Sequence, residues 1–204
     1  QSLSIPFTEF ATFAALPQED LPQGPLQSPI LEENLLNICK SDENSLPLRP
    51  ETDTDMAKKE INTDLWVYEM LKEANITLTA QGSNIDEVNE ALKTASKNQT
   101  GKVGFPEYCG VVKDFLIVIE DKASLDKHIA LDDKKLIAQD QKSIKDYAVN
   151  GALFYGLHIA SNTNFHKVIA CGVSGDSKRH RITPVFINER GDYQELHEVE
   201  TFIS

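Results

Sequence analysis

From residue 56 onward the chain alternates between two spacings of apolar residues, and each spacing predicts a different element. Ile61, Leu65, Tyr68 and Leu71 fall three and four apart together with Asp64 and Lys72, and Trp66 and Met70 widen the apolar side. That period predicts a helix over about 56–74. β-Branched residues then alternate over 76–80, which predicts a strand closed by Gly82. Ser83 follows as a helix cap, with Asp86 and Glu87 in the first turn and Val88, Leu92 and Ala95 as the inner stripe. Two β-rich runs flank Lys113 and Asp114 and predict a hairpin. A helix over about 134–160 is expected next, with Leu136, Ile144, Tyr147, Ala148, Leu153 and Leu157 on its buried side. Segments 167–173 and 182–187 read as strands separated by the polar turn 174–180. This order of elements is that of an α/β domain with a mixed central sheet flanked by helices.

Residues 1–55 break the pattern. Seven of the nine prolines (Pro6, Pro17, Pro22, Pro25, Pro29, Pro47, Pro50) lie there, and proline both fixes φ and removes a backbone donor. Only 31–38 leaves room for a short helix. The stretch reads as a Pro-rich acidic arm or linker, and 56–204 as the folded domain. Phe7, Phe10, Phe13 and Leu16 recur every three residues, so docking as a helical turn and disorder both stand as readings. The chain has no initiator methionine, and the expectation is a fragment whose true start lies upstream.

Charge sharpens the division. Of a net charge of −12, the arm holds ten acids against Lys40 and Arg49. The body is left with 22 acids and 18 bases, so a basic face for phosphate is compatible with the acidic total. With 40% hydrophobic and 25% charged residues the composition is that of an ordinary globular protein. No apolar run reaches the ~20 residues of a membrane span, and no signal-peptide pattern opens the sequence. Cys39, Cys109 and Cys171 are odd in number and unpaired in spacing, so they read as reduced, buried thiols. The five histidines show no zinc-ligand spacing. The expected setting is therefore a reducing cytoplasm, with no membrane contact.

The chemistry concentrates in the hairpin. A turn on Lys113 and Asp114 places Glu107 directly opposite Glu120, and opposed residues share a face with Cβ atoms roughly 4.5–5.5 Å apart. Lys122, two residues beyond Glu120, points to the same side, while Asp121 points away and leaves its carbonyl near the patch. Facing carboxylates destabilise a sheet unless compensated, and a divalent cation compensates them. An isolated Glu-x-Lys is usually a solvated pair. This one ends the apolar run Phe115, Leu116, Ile117, Val118, Ile119, and has Pro106-Glu107 at hairpin distance.

Pro106-Glu107 followed by Glu120-Asp121-Lys122 resembles the PD-(D/E)XK nuclease motif, with Glu in place of the first Asp, a side chain longer by about 1.5 Å. The elements from 56 to 173 are similar to the restriction-endonuclease-like αβββαβ core of that superfamily. The likeness is closer to the amino-terminal nuclease regions of type I restriction subunits and fused restriction-methyltransferase enzymes. Glu60 and Thr63 resemble their Glu-x-x-Thr element, which implies Glu60 as an accessory acid; an ordinary exposed glutamate is the other reading. Tyr147-Ala148 fits their Gln-x-x-x-Tyr-Ala motif, but Ser143 stands where Gln is expected, so that residue's role is not carried over. The resemblance covers 56–204 and none of 1–55.

What it implies is a Mg²⁺-dependent endodeoxyribonuclease domain of a restriction-modification enzyme, with Mn²⁺ as a substitute ion and double-stranded DNA as substrate. Glu60, Glu107, Glu120 and Lys122 are the implied catalytic residues, and Glu107, Glu120 and Asp121 the metal ligands. Lys145 and the basic cluster Lys178, Arg179, His180, Arg181 are candidate phosphate contacts, although a solvated loop accounts for the cluster equally well. Methyltransferase and specificity functions are expected on other sequence or partner subunits, since no Gly-x-Gly-x-x-Gly or Walker loop is present. The alternative is a catalytically inactive nuclease-like module that binds DNA or a subunit.

Overall fold

The computed structural model describes residues 53–97 and 103–203, with side chains from Lys58 onward. Residues 1–52 of the arm, including its 31–38 segment, Phe7 to Leu16 and Cys39, thus lie outside the described residues. The described residues belong to one unit, Arg49–Ser204. The first helix, α1 (Asp53–Glu73), begins three residues before the expected start. Its buried line is Thr63, Val67, Met70 and Leu71, whereas Ile61, Leu65 and Tyr68 are exposed. Apolar spacing alone does not say which neighbouring stripe turns inward. Thr63 helps decide it, because its hydroxyl meets the Gly175 carbonyl at 2.9 Å from inside the fold. The helix ends on Asn75 at φ 56°. Asn75 N–H reaches the Lys72 carbonyl and Ile76 N–H the Leu71 carbonyl, a Schellman closure.

The expected strand at 76–80 is reduced to β1 (Thr79–Ala80), whose two residues pair with Cys109 and Tyr108. Ser83 is not the helix cap. Its Oγ accepts from Ile85 N–H at 3.1 Å, while the Asn89 side chain holds both the N–H and the carbonyl of Ser83. The helix α2 (Asp86–Leu92) starts after that turn, with Asp86 and Glu87 in its first turn as expected. Val88, Leu92 and Ala95 are fully buried, as their spacing predicts.

The hairpin of β2 (Tyr108–Val112) and β3 (Phe115–Lys122) has the expected register, from Val112 opposite Phe115 to Tyr108 opposite Ile119. Lys113 takes the left-handed φ of 53° at the turn. After a 3₁₀ turn (Leu125–Lys127), the helix expected over 134–160 divides into α3 (Gln141–Asp146) and α4 (Ala148–Asn162). Two side chains prevent a single rod. Asp132 accepts from Lys134 and Leu136 N–H, so 132–136 forms a turn and Leu136 is exposed. Asp140 then caps α3 by accepting from Lys142 and Ser143 N–H. Tyr147, extended at φ −121°, separates α3 from α4. The buried Asn150 clamps the preceding chain, bonding the N–H and carbonyl of Ala130 and the carbonyl of Ala138.

Then come β4 (Val168–Gly175), β5 (His180–Ile187) and β6 (Tyr193–Glu195), the last not expected from the sequence. The six strands lie in chain order in one sheet. All neighbours are antiparallel except β3 and β4, which α4 connects as a parallel pair. Alternation along the strands fills two cores. Cys109, Leu116, Val118, Val168 and Ala170 pack with α2 and α4, while Ile119, Cys171, Val173 and Ile182 pack with α1. The result is a mixed α/β fold with a mostly antiparallel sheet covered on both faces. No described helix is long and apolar enough to cross a membrane.

Gly172, the partner of Glu120 across β3 and β4, sets how closely α4 approaches the sheet. A Cβ there would stand 2.5 Å from the Val149 nitrogen and 2.6 Å from its Cα, both backbone atoms that cannot swing aside. We expect Gly172→Ala to lower unfolding free energy by roughly 1–3 kcal/mol in urea titration. An unchanged midpoint would mean that α4 is free to shift outward.

Candidate functional site

β3 carries an apolar run outward from the core and then presents three charged residues in succession. Glu120 and Asp121 are buried, at 2% and 5% exposure, and Lys122 is half-buried. The Tyr108–Ile119 pair is the last rung of the hairpin, and Glu107, just ahead of β2, lies within electrostatic reach of Glu120. Alternation sends Glu120 to the α4 side and Asp121 to the α1 side. Glu120 Oε2 lies 3.3 Å from where a Cβ on Gly151 of α4 would stand, and Lys97 Nζ meets the same oxygen at 2.5 Å. On the α1 side, Tyr108 Oη donates to Asp64 Oδ1 at 2.5 Å and to the Asp64 carbonyl at 2.9 Å. The Glu107 backbone carbonyl accepts from Gln81 N–H at 2.9 Å, and Gln81 Nε2 donates to Glu107 Oε2.

The charges at this end do not balance. Burial pushes the Glu107 carboxyl up to about 7, with Glu120 and Asp64 adding repulsion against the pull of Lys122 and Lys97. Asp121 is pushed up to about 8, first by burial and then by Glu107, Asp64 and Glu120, with Lys122 opposing. The Tyr108 hydroxyl is likewise held well above its ordinary range by burial and by its bond to Asp64. Among the described residues, the buried side-chain oxygens without a hydrogen-bond partner are Glu120 Oε1 and Asp121 Oδ2. A dry, unpaired carboxylate oxygen is costly, and a hard cation is the group that relieves it. The donor set is all oxygen, which suits Mg²⁺. No three His, Cys, Asp or Glu side chains among the described residues form a ready-made cage. An ion at this end would therefore take one or two carboxylates and complete its shell with water or substrate oxygens, the usual habit of Mg²⁺.

The residues expected from the sequence divide. Glu107, Glu120, Asp121 and Lys122 come together at one end of the hairpin. Glu60 is exposed on α1, and the α1 carboxylate that acts on Glu107 and Asp121 is Asp64, one helical turn further along. Thr63 of the same element is buried and ties α1 to Gly175. Lys145 is exposed in the last turn of α3. Lys178 and Arg179 are exposed in the turn between β4 and β5. Arg179 lines a cleft of about 340 Å³ with Lys59, Ser124 and Asp176, beyond the ends of β3 and β4. Arg181 is engaged instead in a pair with Glu198, its Nε donating to Oε1 at 2.9 Å. His180 packs against the Trp66 ring at 4.7 Å.

Sequence reasoning passed over Asp64 and Lys97. Asp64 follows Thr63, and a buried Thr63 brings its neighbour to the same edge of the helix. Lys97 sits in a polar stretch with no motif. The one hint of it was Gly151, a glycine inside a helix with no local reason to be there.

A stretch of 136 residues, 66% of this chain, is 35% identical to the type II restriction enzyme and methyltransferase RM.BcgI of Heyndrickxia coagulans. The match takes in 21% of that protein's length, so the chain corresponds to about a fifth of the relative. No family model matches the chain. No solved structure matches it. The similarity supports a relationship to restriction-modification proteins.

Proposed function

We propose that this chain is the Mg²⁺-dependent endodeoxyribonuclease module of a restriction-modification protein, with an active site of PD-(D/E)XK type. The observation that carries the reading is the buried, unpartnered Oε1 of Glu120 on the strand that bears Lys122, within electrostatic reach of Glu107. The similarity to RM.BcgI supports DNA as the substrate. The element order supports the core topology: α1, β1, β2, β3, α4 and β4 follow the αβββαβ sequence once α2, the 3₁₀ turn and α3 are set aside as insertions.

Glu107, Glu120 and the backbone carbonyl of Asp121 would hold the cation, with Mn²⁺ accepted in its place. Bound there, the ion supplies Lewis acidity at a phosphate oxygen and lowers the pKa of a water molecule. Lys122 brings a positive charge to the strand end, suited to orienting the attacking water and to offsetting charge on the phosphate. Asp64 and Tyr108 form a hydrogen-bonded pair that closes the α1 side. Arg179, Lys178 and Lys145 are exposed cations available to the flanking DNA backbone. Methyltransferase and specificity functions belong on other sequence or partner subunits.

The lack of a three-ligand cage among the described residues, together with Glu rather than Asp at 107, favours a second reading: a module that holds DNA or a partner subunit without cutting. Calorimetry separates the two, because an inert module takes up no Mn²⁺ at this patch.

Incubated with plasmid DNA and Mg²⁺, the active protein is expected to cleave. Glu120→Gln and Lys122→Ala should each reduce the rate on the order of 100-fold or more with the fold retained by circular dichroism. Cleavage that persists in both variants would refute the assignment.

Electrostatics give an independent test. Glu107 releases its proton near 4.5 when unfolded and near 7 when folded, so the native state binds the extra proton between those values. Stability without metal should therefore fall as pH rises from about 4.5 to about 7 relative to Glu107→Gln, which has no such proton. Added Mg²⁺ should shrink that difference in urea midpoints; a pH-independent difference would remove Glu107 from the buried charge cluster.

A further inference from the structure

Lys97 enters the site from the connection after α2, 23 residues away in sequence from Glu120. Its Nζ lies 2.5 Å from Glu120 Oε2, with side-chain exposures of 15% and 2% for the two residues. The same ammonium sits 4.7 Å from the centroid of the Tyr155 ring, a second favourable contact for a largely desolvated cation. The fold leaves room for this arrangement at one position. A Cβ on Gly151 would stand 2.9 Å from Lys97 Nζ and 3.3 Å from Glu120 Oε2, so the absence of a side chain there admits the ion pair beneath α4.

The pair is one-sided. Lys97 engages Oε2, while Oε1 of the same carboxylate is buried with no partner. Lys97 and Lys122 are the two ammonium groups that act on this end, against the four carboxylates of Asp64, Glu107, Glu120 and Asp121.

Resting on the reading of this end as a cation site, we propose that Lys97 is a positioning residue: it grips one oxygen of Glu120 so that the other is presented to a divalent cation. Held through Oε2 by Lys97 and packed beneath Gly151, the carboxylate is spared the rotamer search that a free glutamate makes on binding an ion. Hydrogen-bond partners of ligating carboxylates act in this manner, and losing one typically weakens metal binding ~10–100-fold. A competing role, in which the ammonium merely occupies the cation's place, requires the opposite outcome, since removing a competitor tightens binding.

The test is calorimetric titration of the full chain with MnCl₂ alone, for the wild type, Lys97→Met, Lys97→Gln and Glu120→Gln. Expected are a single site in the wild type, its loss in Glu120→Gln, and a ~10–100-fold higher Kd in Lys97→Met. Lys97→Gln leaves an amide in the space and should weaken binding by a smaller factor; it carries the test should the Met variant fail to fold. Melting curves in chelator accompany each titration. A purely structural lysine would lower the melting midpoint and leave Kd unmoved, which would overturn the proposal, as would unchanged or tighter Mn²⁺ binding in the neutral variants that fold. Absence of Mn²⁺ uptake by the wild type would instead sink the cation site itself.

Discussion

Two consecutive carboxylates buried at the end of a strand are the constraint around which this fold is arranged. Alternation forces Glu120 and Asp121 onto opposite faces of the sheet, so neither acid serves as a partner for the other. Each must find compensation on its own side. Glu120 has Lys97 beneath α4, and Asp121 faces the α1 side, where Asp64 and Tyr108 are bonded to one another. Neither solution is complete, because one oxygen of each acid is left without a partner. The elevated proton affinities of Glu107 and Asp121 have the same origin: burial penalises the charged form first, and neighbouring carboxylates add repulsion.

The surrounding architecture makes this arrangement possible. The parallel pair β3 and β4 requires a crossover, and α4 supplies it across one face. Gly172 and Gly151 let its first turns lie close over the strands, Gly172 admitting the Val149 backbone and Gly151 the Lys97–Glu120 pair. The start of α4 is fixed from outside as well, with Asn150 clamping Ala130 and Ala138 and Val149 N–H bonded to the His128 carbonyl. His128 in turn is buried between the Ser174 and Thr183 hydroxyls, at 2.8 and 2.7 Å, tying the chain after β3 to β4 and β5. Burial and the nearby Arg181 lower its proton affinity to about 4, so near neutral pH it is an uncharged link rather than an ion. The polar connections thus converge on the strand ends where the carboxylates lie.

The similarity to a restriction enzyme and methyltransferase supports a relationship to restriction-modification proteins, the setting proposed above for this charged end. On the proposed reading, a module joined to methylating and sequence-reading parts would need little recognition surface of its own. Here the exposed cations Lys145, Lys178 and Arg179 lie on two separate elements, and Arg181 is already paired with Glu198. Such a distribution fits loose contact with a DNA backbone better than reading of base edges, which takes several side chains set in one groove.

The sequence by itself determined the hairpin and its register, because the apolar run of β3 and the short polar reversal at Lys113 and Asp114 leave one pairing that keeps both faces buried. It likewise determined the inner stripe of α2 and the alternation of elements, both consequences of local periodicity. Tertiary structure alone decided the rest. Which stripe of α1 turns inward depends on a bond from Thr63 to Gly175, 112 residues away. The division between α3 and α4 combines a local cap at Asp140, which apolar spacing does not register, with the clamp of Asn150 on residues 12 and 20 positions distant. Asp64 and Lys97 entered the charged cluster because helix packing and a long connection brought them there. Periodicity records which way a side chain faces within its own element; it carries no record of what stands opposite once distant elements close together.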